Sequence, residues 1–332
     1  MEKILSPESS GAPAASAASP PTSGPLFIVI NAGSGVASAE ERTQAIAKVL
    51  NDAGRAHQFF LITDPSTICD IAKQAVRLAQ QQRGVVVASG GDGTINAVAQ
   101  AVLGSGCAFG VLPTGTFNYF GRVHGIPQDC EAATLGLLTA HVHEVQAGLV
   151  NERIFLVNAS VGLYPQLLED RETFKHRFGR NRFVAMAAGL ITLVRNRRQL
   201  RLTIESSAGS ALVRTPTLFV GNNRLQFEQV GLEDAHRVAV DHGGLAAIVV
   251  RPIGALAMLY LALRGALGSL GSAENVRSFA FKRITVMPYR TSRIKVATDG
   301  EVNWMRTPLT FQVAAQPLHL LVPPVELQAD VA

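Results

Sequence analysis

Val85-Val86-Val87-Ala88-Ser89-Gly90-Gly91-Asp92-Gly93-Thr94-Ile95-Asn96 is the stretch whose reading decides the fold. Its first four residues form a short unbroken apolar run, which suits a strand buried on both faces. Glycines end the run, and Val98, Ala99 and Val102 then continue at helical spacing. Glycine lets a backbone approach an anion because it has no Cβ. A helix that starts there aims its unpaired N–H groups and its positive end at one place. Thr94 and Asn96 add side-chain donors. Taken alone, the same residues also suit an ordinary tight turn.

Reading outward, the strand–helix alternation repeats. Phe27 to Ile30 predicts a buried strand, and Ser38 with Glu41 three residues later predicts a capping box. Ile46, Val49 and Leu50 supply the apolar face of the helix that follows. Gln58 to Ile62 predicts a second strand. Asp64-Pro65 then opens a helix with Ile68, Ile71, Ala75 and Val76 on one side. Phe109 to Leu112 predicts a fourth strand. This rhythm predicts an α/β domain with a parallel sheet covered by helices. Two more turns leave strand ends: Asn31-Ala32-Gly33-Ser34-Gly35, and Leu112-Pro113-Thr114-Gly115-Thr116-Phe117-Asn118-Tyr119-Phe120. In a parallel sheet these strand ends share one edge, where open α/β sheets bind ligands.

Beyond about His141 the pattern changes. Ile154 to Val161, Leu200 to Glu205, Thr217 to Val220, Ala246 to Val250, Arg283 to Met287 and Ile294 to Thr298 predict strands. Two apolar helices are predicted near 183–194 and 253–267. The expected organisation is a disordered Ala/Ser/Pro/Gly tail over 1–24 and a nucleotide-binding α/β domain over 25–145. A mostly β substrate domain with inserted helices follows over 146–310, and 311–332 returns toward the first domain.

Composition narrows the class. Three widely spaced cysteines, Cys69, Cys107 and Cys130, suit a reducing cytoplasm better than a disulfide framework or a zinc site. No apolar run reaches the ~20 residues a membrane-spanning helix needs, and no apolar h-region of a secretory signal follows Lys3. Between Arg171 and Arg201 there are nine Arg or Lys and one acid, Glu172. That block suits anionic lipid headgroups or nucleic acid, and equally a solvated basic face. His141 and His143 share a strand face, but no acid or cysteine beside them supports a metal site. Ser34 lacks the G-x-S-x-G setting of a serine hydrolase.

The ordered set Asn31-x-x-Ser34-Gly35, Gly90-Gly91-Asp92-Gly93-Thr94 and Leu112-Pro113-x-Gly115-Thr116-x-Asn118-x-Phe120 resembles the diacylglycerol kinase catalytic domain. Bacterial lipid kinases and sphingosine kinases share that domain. Asp299-Gly300-Glu301 is similar to the family's late DGE element, and the likeness runs from Phe27 to Pro323. The resemblance implies an ATP-dependent lipid kinase that uses Mg2+. Its nucleotide contacts would be Asn31, Ala32, Gly33, Ser34, Gly35, Thr63, Gly90, Gly91, Asp92, Gly93, Thr94, Ile95, Asn96 and Thr116. Glu301 would accept the proton of the attacking hydroxyl, with Asp299 beside it. Asp92 would act on the metal-bound phosphates, directly or through water. The implied partners are a lipid substrate and a peripheral membrane surface, with a homodimer allowed and no nucleic acid. The expected location is the cytoplasm, at the inner face of the membrane. Phosphoryl transfer is chiefly positioning and charge neutralisation, which is why these residue types suit it. Without the upstream motifs, Asp299-Gly300 reads as a hairpin turn.

The chain also departs from the family pattern. Ala32 replaces a proline, Tyr119 replaces an acid, and Gln146 stands where relatives carry Asp. Both lost acids belong, by the resemblance, to a network around the catalytic magnesium, so a binding protein without turnover is an alternative reading. A kinase of soluble metabolites of the NAD kinase type is a third, disfavoured by the Leu112–Thr116 segment. A structural metal seen in some relatives would fall at Asp241 or His242.

Overall fold

The computed structural model describes residues 20–33, 38–169, 199–207, 209–222, 243–252 and 275–328. The helices expected near 183–194 and 253–267, the arginine flanks at 177–198, Asp241, His242, Ser34 and Gly35 lie outside these described residues, as does most of the predicted tail. The chain divides into two compact units, one within Pro13–Ala147 and Ala314–Ala332, the other within Gly148–Val313.

The first unit opens with β1 (Leu26–Asn31), α1 (Ala39–Asp52), β2 (His57–Ile62) and α2 (Ile68–Gln82). It continues through β3 (Val85–Gly90), α3 (Asp92–Val102), β4 (Ala108–Pro113), α4 (Tyr119–Val123), α5 (Cys130–Thr139) and β5 (His141–Val145). Local chemistry sets the helix starts. Ser38 Oγ accepts from the Glu41 amide at 3.1 Å while the Glu41 carboxylate accepts from the Ser38 amide at 2.9 Å, the capping box read from the sequence. Asp64 caps a turn of 3₁₀ helix over Pro65–Thr67, and the α-helix proper begins only at Ile68. The predicted start was therefore right in place and wrong in helix type, because the proline ring suits a tight first turn.

Within Gly148–Val313 the strands are β6 (Gly148–Val150), β7 (Arg153–Phe155), β8 (Asn158–Gly162), β9 (Leu200–Ser206), β10 (Gly209–Thr215) and β11 (Thr217–Gly221). They are followed by β12 (Leu245–Val250), β13 (Val276–Phe281), β14 (Arg283–Pro288), β15 (Arg293–Thr298), β16 (Glu301–Arg306) and β17 (Leu309–Val313). Last comes β18 (Leu318–Val322) of the first unit. Ile154 to Val161, predicted as one strand, is two strands broken at Leu156-Val157.

The first unit's sheet has the order β2-β1-β3-β4-β18-β5. All neighbours are parallel except β18 with β5. Its central strands are buried on both faces, as their unbroken apolar runs require. The second unit is a sandwich of two antiparallel sheets, β10-β9-β14-β17-β6-β7 and β13-β12-β11-β8-β15-β16. Leu202, Ile204, Val286 and Phe311 from the first sheet share one core with Val161, Leu218, Ala247 and Val296 from the second. The α/β unit followed by a mostly β unit is the fold class expected from the sequence.

Candidate active site

Parallel pairing brings the ends of β1, β3 and β4 to one edge of the sheet, and three turns leave from there. The turns are bonded to one another. Asn31 Nδ2 donates to Thr94 Oγ1 at 2.9 Å, and Asn31 Oδ1 accepts from the Gly33 amide at 3.0 Å. The Thr114 amide donates to the Gly90 carbonyl at 2.9 Å. A Cβ built on Gly115 falls 2.7 Å from the Gly91 Cα, so these two turns touch backbone to backbone, and a side chain on Gly115 would force them apart.

Arg42 is a residue that sequence reasoning missed. It is buried, and its guanidinium donates to the Asn31 carbonyl at 2.9 Å and to Thr114 Oγ1 at 3.2 Å, so α1 braces two of the turns. Burial lowers its pKa, opposed in part by Cys130. The missed signal was its place between apolar helix positions, where an arginine ordinarily reads as surface.

Gly91 stands at the N-cap of α3 without a side-chain cap. The amides of the first turn therefore have no carbonyl one turn earlier, while the Ile95 amide already donates to the Gly91 carbonyl at 3.0 Å. Ile95 and Asn96 are buried, and the Ile95 amide is held within the helix. Asp92 turns toward the third turn: its two oxygens accept from the amides of Tyr119 at 3.2 Å and Phe120 at 3.3 Å. Burial pushes the Asp92 carboxyl above its ordinary range, and these amides together with Arg122 oppose the shift. Thr116 is exposed beside this turn and Thr63 at the end of β2. Tyr119, where an acid is expected, stacks on Phe117 with ring centroids 5.8 Å apart and planes 7° apart.

In the sandwich unit, Asp299 and Gly300 are the two central residues of the β15–β16 hairpin. Both have positive φ, 48° and 89°, which a type I′ turn requires. The Asp299 carboxylate accepts from the amides of Leu156 at 2.7 Å and of Val157 and Asn158 at 2.9 Å each. This clamp is what breaks the predicted 154–161 strand in two. Glu301 begins β16 and pairs with Arg153 of β7 at 3.0 Å, both side chains being at least a third exposed. Among the described residues no group of three His, Cys, Asp or Glu is placed to hold a metal by itself. No described helix is long and apolar enough to cross a membrane.

Residues 25–150, which carry all three turns, match the model of the diacylglycerol kinase catalytic domain. Over these residues the chain is similar to the diacylglycerol kinase catalytic domain. A diacylglycerol kinase of Staphylococcus saprophyticus is 33% identical over 100 residues, covering 30% of this chain and 33% of that protein. A protein of Cronobacter sakazakii named "Probable lipid kinase YegS-like" is 29% identical over 140 residues, 41% of this chain and 45% of its own length. The chain thus spans less than half the length of these curated relatives. Among solved structures, a diacylglycerol kinase from Bacillus anthracis superposes with a TM-score of 0.67 over 91% of this chain and 98% of its own, at 18% identity. That likeness establishes the fold.

Proposed function

We propose that this protein is an ATP-dependent kinase that transfers the γ-phosphate to the hydroxyl of a lipid of the diacylglycerol or sphingoid type. The observation that carries the reading is the convergence of three glycine turns at one sheet edge, tied by Asn31, Thr94 and Arg42 around the open first turn of α3. Backbone amides at close approach are what a polyphosphate needs. The names borne by the relatives, diacylglycerol kinase and lipid kinase, support the acceptor class.

In this reaction the lipid oxygen bonds to the γ-phosphorus as the bond from that phosphorus to the β–γ bridging oxygen breaks. ADP leaves, and the hydroxyl proton passes to a carboxylate. Glu301 is assigned that proton because it is half-exposed and its neighbour Asp299 is committed to backbone amides. Asp92 would be the residue that holds a magnesium ion, since such a site needs only one or two carboxylates from the protein. Magnesium, when bound, neutralises charge on the transferring group. The reading places the protein in the cytoplasm, where its three free cysteines are stable.

Tyr119 favours a second reading, a nucleotide- or lipid-binding protein without turnover, because its stacked phenol carries no charge for a metal network. Transfer of labelled phosphate from ATP to a total lipid extract in mixed micelles separates the two. A labelled lipid that requires magnesium and disappears with Glu301→Gln supports the kinase. Nucleotide binding that ignores magnesium, without transfer, supports the binding protein.

A further inference from the structure

The outer face of the β10-β9-β14 sheet end has an unusual charge arrangement. Inward-facing residues of these strands, Leu202, Ile204, Ile284 and Val286, fill the sandwich core, so the alternate residues face out. There Arg214 lies directly opposite Arg201, and the Tyr289 amide donates to the Arg201 carbonyl at 2.9 Å, continuing the row onto the next strand. The Arg201 and Arg290 guanidinium carbons lie 5.9 and 5.1 Å from the centre of the Tyr289 ring. The adjacent row is Leu212, Thr203 and Met287, in register. Leu212 is 64% exposed and Tyr289 57%.

Like charges directly opposite on paired strands repel. Among the described residues none of Arg201, Arg214 or Arg290 has an ion-pair partner. Arg283 shares this face, and Glu205 is the acid that β9, β10 and β14 place on it. Four cations against one acid leave a field that an external anion would neutralise. The exposed leucine and the tyrosine beside the arginines narrow the choice of anion. A nucleic acid gains little from an aliphatic side chain, whereas a bilayer interface takes up Leu and Tyr while its headgroups meet the arginines.

We infer that the outer face of β9, β10 and β14 is a docking surface for an anionic phospholipid bilayer, with Arg201, Arg214 and Arg290 on the headgroups and Leu212 in the interface. Such a surface brings a kinase to an acceptor that does not leave the membrane, but it stands on its own geometry. Vesicle binding needs neither nucleotide nor turnover, so failure of this inference and failure of the kinase reading are separately visible.

The test is co-sedimentation of the full chain with vesicles of phosphatidylcholine alone and of phosphatidylcholine containing phosphatidylglycerol. The expected result is binding to the anionic vesicles that weakens with salt. Partitioning should fall about thirtyfold in the Arg201→Ala/Arg214→Ala double variant and about tenfold in Leu212→Ser, with unfolding temperatures close to the parent's. Absence of binding by the parent, or equal binding by the variants, overturns the inference. So does tighter binding to an RNA homopolymer that the double variant loses.

Discussion

Two acidic glycine turns, Gly90–Asn96 in the α/β unit and Asp299–Glu301 in the sandwich unit, look alike as sequence and are built to opposite ends. In the first, Asp92 is half-buried at a helix start with its carboxyl pushed up, and the Tyr119 and Phe120 amides stand 3.2 and 3.3 Å from it. In the second, Asp299 takes three amides at 2.7 to 2.9 Å. The shorter bonds mark a carboxylate committed to holding backbone. The longer ones leave the Asp92 carboxylate less fully satisfied, at some cost from burial. Glu301, one residue past the hairpin, keeps a single half-exposed ion pair. The lesson is that the acid of a turn is classed by what already satisfies it.

The sharpest way to break this contrast is to neutralise the two aspartates in turn. Asp92→Asn should lower phosphate transfer by about a thousandfold while leaving the unfolding midpoint nearly unchanged, because removing a partly desolvated charge offsets the weaker acceptor. Asp299→Ala should do the reverse in kind. It strands three amides and should cost roughly 3–5 kcal/mol of stability, a drop of about 10 °C in unfolding temperature. Calorimetry beside a transfer assay reads both, and an Asp299→Ala protein of parental stability would remove the distinction.

Acid titration sharpens the same comparison inside the first unit. His124 is half-buried and packs edge-on against Phe120, with ring centroids 4.7 Å apart, and desolvation followed by repulsion from His143 pushes its pKa down to about 4. A group whose folded pKa lies below its unfolded value near 6.5 binds its proton more readily in the unfolded chain. Stability is therefore full above pH 6.5 and declines as pH falls toward 4, by about 3 kcal/mol at the end of that window. His124→Asn should remove this contribution and flatten the slope by that amount, measured by denaturant titration at several pH values. The smallest effect belongs to the exposed pair: Arg153→Ala should change stability by no more than about 1 kcal/mol, whatever it does to transfer.

What was legible in the sequence was local. The Ser38–Glu41 box, the Gly90–Gly93 turn and the order of fold classes follow from spacings of a few residues, and the structure has them where they were read. What was not legible joins distant residues. Arg42 carries no signal of its own, because its role depends on Asn31 and Thr114 coming together around it. The break at Leu156-Val157 has no signal in its own apolar run, since its cause is the Asp299 carboxylate more than 140 positions later. Tyr119 was read as a lost charge, and its stacking on Phe117 depends on the turn having formed.

The placement of β18 has a consequence for how the molecule is made. It lies between β4 and β5 in the first sheet, parallel to one and antiparallel to the other, although the whole of Gly148–Val313 is translated before it. Until Leu318–Val322 has left the ribosome, β4 has one open edge and β5 has no neighbour to pair with. The unit that begins first on the ribosome is therefore the one completed last, and a chain stopped at Val313 would carry the bare edge of β4 and an unpaired β5, both ready to pair with another molecule.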